Sequence, residues 1–188
     1  MTALGGRGTA GTVRAMEEGC SECGLDASGL DMAATAARLT SLPGAYREAV
    51  AGLDDEQLRR RPAEGTWSVV EYLAHARDAV RYHGALIRDA IRGDDGGGEP
   101  SVAVVDPDAA AIELGYNAAD PAEVLDGIET NYGRFAERIA ELGPEELAKG
   151  LVRGDRRVSV SFLAHSGLHE ASHHLLDVQR LAGVMASA

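Results

Sequence analysis

The strongest constraint on the fold is a helical spacing of apolar residues in long segments that Gly- and Pro-rich stretches separate. The first segment begins near Asp31, whose carboxylate can cap free amides, and runs through Ala33, Ala37 and Leu39 toward Val50. Pro43 and Gly44 predict a bend or a restart within it. LDDEQL predicts a short helical turn before the RRRPAEGTW loop. The second long segment opens on Ser68, Val69, Val70 and Glu71, an S-x-x-E capping box, and continues through Leu73, Val80 and Ile87 until GDDGGGEP stops it after about Arg92. A long connection from Ser101 to Ala119, with a short helix over Ala109 to Gly115, leads to the third. That one starts at Asp120, Pro121, Ala122 and Glu123, buries a stripe of Val124, Ile128, Phe135, Ile139 and Leu142, and ends at Gly143 and Pro144. The alternation in LVRGDRRVSV fits a hairpin or an extended entry into the last helix, and the extended entry, capped by Ser159 or Ser161, is the preferred reading. The last helix runs to about Leu181 and directs Phe162, Leu168, Leu175 and Val178 inward. The expected fold is all-α, a four-helix bundle over residues 31–185 with a long crossover between helices two and three. Residues 1–30 carry Gly and Thr with little periodicity and are expected to form a flexible N-terminal arm ending in CSECG.

Charge and length narrow the function classes. A chain of 188 residues fits one domain with a core, and a formal charge of −12 with a single lysine, Lys149, argues against nucleic acid as a partner because phosphate tracking needs clustered cations. The one dense basic cluster, Arg59 to Arg61 before Pro62, reads as a solvated turn. No stretch approaches the roughly twenty apolar residues that span a bilayer, and the start of the chain lacks a signal peptide's apolar core, so no membrane role and a cytoplasmic location are expected. In that reducing compartment Cys20 and Cys23, spaced CxxC, are more plausibly metal or redox groups than a structural bridge. One CxxC is half of a zinc ribbon, however, and no second CxxC completes it, which leaves a metal site, a thiol pair and an exposed pair all open.

The histidines carry the chemical signal. His165, His169, His173 and His174 lie on the last helix, and His75 lies on the second. Residues four apart stack on one helical face, so His169 and His173 of HEASH can aim at one point, and His75 can supply a third ligand. Three neutral nitrogens with open positions suit a catalytic divalent ion. His75 shares its helix face with Glu71, Tyr72, Asp78 and Tyr82, a polar side that either meets water or lines a functional cavity. HEASH also fits HExxH, in which Glu170 would activate water, but the only downstream ligand candidate, Asp177, sits on the same helix, which weighs against a zincin protease. Glu170 and His174 form a competing four-apart pair about 100° round the helix.

Together, TWSVVEYLAHARD on helix two and HEASHHLLDV on helix four resemble the motifs of the DinB-like, YfiT-like superfamily of metal-binding four-helix bundles. CSECGLD is similar to an N-terminal CxECG element in an actinobacterial branch, and the likeness covers residues 20 to 182. The resemblance implies a divalent ion, Zn with Ni, Fe or Mn as alternatives, on His75, His169 and His173. It implies a small-molecule substrate and a low-molecular-weight thiol of the mycothiol type as co-substrate, in S-transfer or a related hydrolysis or isomerisation. Glu170 and Asp78 are the catalytic candidates, with Asp78 and Asp177 also placed to orient a ligand imidazole, and His174 and His165 are alternative ligands. The alternative is a non-catalytic metal-binding or stress-linked bundle. A homodimer is compatible with either.

Overall fold

In the computed structural model, which describes residues 19–27 and 29–187, the four long helices form where the spacing places them. These are α1 (Met32–Val50), α3 (Val69–Arg92), α5 (Pro121–Ala140) and α7 (Val160–Ala186), with shorter helices α2 (Asp55–Arg59), α4 (Pro107–Glu113) and α6 (Pro144–Ala148) between them. Helices α1 and α3 each pack on both α5 and α7, so these two consecutive long helices lie diagonally across the bundle. Leu39, Leu73, Ile87, Ile128, Ile139 and Leu168 fill the space between them. Residues 1–18 of the expected flexible arm lie outside the described residues. Within 19–27 the arm expectation gives way, because Cys20, Leu25 and Ala27 are buried against the bundle.

The helix starts follow the predicted caps. Asp31 accepts from the amide of Ala34 at 2.7 Å, Asp120 from those of Ala122 and Glu123, and Ser159 from that of Phe162. At α3 the capping box closes in both directions, with Ser68 Oγ accepting from the Glu71 amide and Glu71 Oε2 accepting from the Ser68 amide at 2.8 Å. Pro43 lies inside a continuous α1, so the expected restart does not occur there. A proline in a helix interior costs about 3 kcal/mol, and the completely buried Leu39 and Tyr46 on either side carry the helix through it.

Residues 150–159 form a hairpin, not the extended entry preferred from sequence. Strand β2 (Gly150–Arg153) pairs antiparallel with β3 (Arg156–Ser159), and β1 (Ser101–Val102), in the crossover, pairs parallel with β2. Gly154 turns the hairpin at φ +65°, where a side chain would be strained. Of the three arginines expected in a solvated turn, Arg60 is exposed but Arg59 and Arg61 are anchors. Arg59 donates to the carbonyls of Asn117 and Ala119, tying α2 to the crossover, and Arg61 pairs with the buried Glu71.

At Gly167, α7 packs tightly on its neighbours. A Cβ there would sit 2.7 Å from Phe135 Cε1 and 3.4 Å from His83 Cβ. Gly167→Ala gains about 1 kcal/mol of helix propensity but overpacks a buried ring, so a net loss of about 1–2 kcal/mol is expected in denaturant unfolding. A stabilised variant would show that Phe135 has room to move.

Candidate metal centre

Helix α7 presents two adjacent ligand faces. His169 and His173 lie on one, and Glu170 and His174 lie about 100° further round. The structure brings His75 to the second face. His75, Glu170 and His174 each offer a donor atom within 4.8 Å of the others. His75 Nε2 is 3.9 Å and His174 Nε2 3.3 Å from Glu170 Oε2, and the two imidazole rings meet edge to face at 4.6 Å. The structure does not gather the expected trio His75, His169 and His173 into one group. The side chain of His75 reaches α7 from α3, on the side where the 170 and 174 positions project, and His169 and His173 face elsewhere.

Three aromatic and acidic neighbours fix this cluster. Trp67, just before α3, lies 5.1 Å from the His75 ring and 5.3 Å from that of Tyr72, which in turn lies 6.0 Å from His174. His174 Nδ1 donates to Asp177 Oδ2 at 3.0 Å, which leaves Nε2 facing Glu170. Burial holds the His75 pKa below its ordinary value and favours a neutral donor. Burial alone would raise Glu170, but the hydrogen bond from His174 and the nearby His75 imidazole hold it well below the usual carboxylate range. Burial would lower His174, yet Asp177 and Glu170 raise it to about 9. With no ion bound, a proton on His174 thus supplies positive charge between two carboxylates. Two imidazoles and a carboxylate that demand a positive charge at their centre fit a divalent cation.

His169 and His173 join a different set. Their donor atoms and those of Cys20 and Cys23 all lie within 4.8 Å of one another, with Cys20 Sγ 3.7 Å from His173 Nδ1 and the two imidazole rings 5.4 Å apart. Burial pushes the Cys23 thiol up to about 11. Burial also acts to raise Cys20, but the Cys23 amide and His173 bring it below its ordinary value. This arrangement also corrects the HExxH reading, because Glu170 belongs to one cluster and the histidines of HEASH to the other.

The remaining candidates are members of neither cluster. Asp78 accepts from Arg77 at 2.9 and 3.0 Å and is 3.5 Å from Arg81, so this proposed catalytic carboxylate is committed to guanidinium partners. His165 pairs through Nε2 with the Leu30 carbonyl at 3.1 Å and holds the chain entering α1. Glu71, from the polar face of α3, is a buried structural anion. The sequence pattern assigns no role to the sixth histidine, His83. It is buried as the neutral tautomer, with Nδ1–H donating to Ala79 O at 2.8 Å and Nε2 accepting from Ser166 Oγ at 3.1 Å.

The comparisons agree with this architecture. Residues 38–178 match the model of the DinB superfamily, and the chain belongs to that superfamily. Among solved structures it is similar to YfiT from Bacillus subtilis, reported as a probable metal-dependent hydrolase with an unusual four-helix bundle topology. That match has a TM-score of 0.72 at 18% identity and covers 85% of this chain and 91% of the other. No curated protein matches the sequence. Among the described residues, no helix is long and apolar enough to cross a membrane.

Proposed function

We propose that this protein is a metal-dependent hydrolase of a small molecule, with the ion held by His75, Glu170 and His174. The observation that carries the reading is the donor set itself, two imidazoles and one carboxylate from two facing helices. Three protein ligands leave a coordination position for water or substrate, as hydrolytic zinc sites require. A bound divalent ion would supply Lewis acidity and lower the pKa of a water or thiol beside it. The chain's own residues do the rest. Asp177 fixes the His174 tautomer and ring plane, and burial keeps His75 in the neutral form that can donate a nitrogen lone pair. Trp67 and Tyr72 form an aromatic wall that restricts water on one side. YfiT, with the same fold, is reported as a probable metal-dependent hydrolase, which supports the reading without fixing the substrate.

The test is turnover of activated esters and amides by the purified protein, before chelation, after chelation, and after addition of Zn²⁺, Ni²⁺, Mn²⁺ or Fe²⁺. Chelation is expected to remove turnover, and one of these ions to restore it. A parallel series with a low-molecular-weight thiol and an electrophile separates hydrolysis from S-transfer, since only the latter consumes thiol. Turnover that survives complete metal removal would overturn the proposal.

A further inference from the structure

We propose that Cys20, Cys23, His169 and His173 form a second, closed site for one tetrahedral, thiolate-preferring divalent ion of the Zn²⁺ type, which serves structure and not catalysis. The inference is independent of the hydrolase reading, because the two sites share no ligand.

Zinc binds sulfur at about 2.3 Å and imidazole nitrogen at about 2.0–2.1 Å, so tetrahedral ligand atoms stand about 3.4–3.8 Å apart. The Cys20 Sγ to His173 Nδ1 distance of 3.7 Å is an edge of that size, and all four donors fit within 4.8 Å. The sequence supplies half of the tetrahedron as a knuckle. Gly19 and Gly24 take positive φ, the Cys20 amide bonds the Leu25 carbonyl at 2.9 Å, and the Gly24 amide bonds the Cys20 carbonyl at 2.8 Å. This turn aims the Cys23 amide at the Cys20 sulfur and the Leu25 amide at the Cys23 sulfur, as suits thiolate ligands. Helix α7 supplies the other half through its four-apart histidines.

The surroundings fit a ligated imidazole. With Nδ1 toward the sulfurs, His173 turns Nε2 toward Glu22 Oε2 and Asp177 Oδ2, each at 3.7 Å, the placement of carboxylates that orient metal-bound histidines. A thiol pair working in redox exchange needs no such pair of converging imidazoles, and four protein ligands leave no position for substrate. An ion here would pin residues 19–27 to α7 and fix the rotation of the helix that carries Glu170 and His174. Asp177 touches both sets, 3.0 Å from His174 and 3.7 Å from His173, so the two sites are mechanically joined.

The experiment is metal analysis and Co²⁺ spectroscopy on the full chain, purified without a histidine tag. Wild-type protein is expected to hold near two equivalents, and Cys20→Ser/Cys23→Ser near one. Co²⁺ protein should show sulfur-to-metal charge transfer that persists in His174→Ala and disappears in the double serine variant. Should that variant fail to fold, the wild-type thiols provide the readout, since they should resist a thiol reagent until a chelator is added. Charge transfer absent from Co²⁺ protein, thiols equally reactive with and without chelator, or a Cys20–Cys23 disulfide in freshly purified protein would each overturn the site. Loss of turnover in His174→Ala with the thiolate signal intact bears only on the hydrolase reading.

Discussion

His174→Ala is expected to lose the ion at the His75, Glu170 and His174 centre and to bring turnover to background, whereas His169→Ala is expected to leave that centre's own ligands in place. Changes to residues that only orient a ligand already cost about 10–100-fold in metal affinity, so removing a ligand should cost more than about 100-fold. The same substitution should destabilise the metal-free protein. In that state the imidazole stands between Glu170 at 3.3 Å and Asp177 at 3.0 Å, and both carboxylate side chains are at most 19% exposed. Removing the shared cation leaves two largely buried carboxylates without it, a change worth about 2–4 kcal/mol at neutral pH. Denaturant unfolding of chelated wild type and chelated variant measures that term apart from metal binding. Equal stability of the two chelated proteins would show that His174 carries no charge between the carboxylates, and retained metal would remove it from the ligand set.

The long helices were legible because each start carries its own cap and each apolar stripe keeps helical spacing, as Ser68 with Glu71 and Asp120 with Pro121 illustrate. The hairpin was ambiguous because LVRGDRRVSV is too short for its alternation to outweigh the adjoining helix, and its parallel partner, β1, lies in the crossover. At the site, sequence supplied the candidate residues but not the grouping that the structure shows. HxxxH and ExxxH overlap one residue apart in HEASHH, and only the rotation of α7 decides which pair meets His75. That rotation is set by packing contacts such as Gly167 on Phe135, which no local pattern encodes. CxxC looked unfinished for a related reason. Its complement is a pair of helical histidines almost 150 residues away, not a second CxxC.

Arg61→Ala is expected to destabilise the fold by about 1–3 kcal/mol at neutral pH, with a pH signature that separates charge from packing. Glu71 belongs to the motif by which the chain resembles its superfamily, yet the structure gives it an architectural role at the start of the helix that carries His75. It is 1% exposed and accepts from the Ser68 amide and from the Arg61 guanidinium. Removing one partner of a buried ion pair costs about 3–5 kcal/mol. Here the figure is lowered because the Arg61 side chain is 49% exposed and water can reach its place. Burial alone would raise the Glu71 pKa, but Arg61 and the Ser68 amide hold it below the ordinary carboxylate value. The group therefore stabilises the wild type above the unfolded carboxylate pKa of about 4.3, and that contribution is lost as pH falls through the lower folded value. In Arg61→Ala the uncompensated carboxylate prefers its proton, so the deficit should be full at pH 7 and shrink as both proteins protonate Glu71. Glu71→Gln supplies the control, since an uncharged amide removes the need for the guanidinium. Arg61→Ala in that background should cost less than half as much. A deficit that is independent of pH and unchanged in the Glu71→Gln background would assign the loss to Arg61 packing alone.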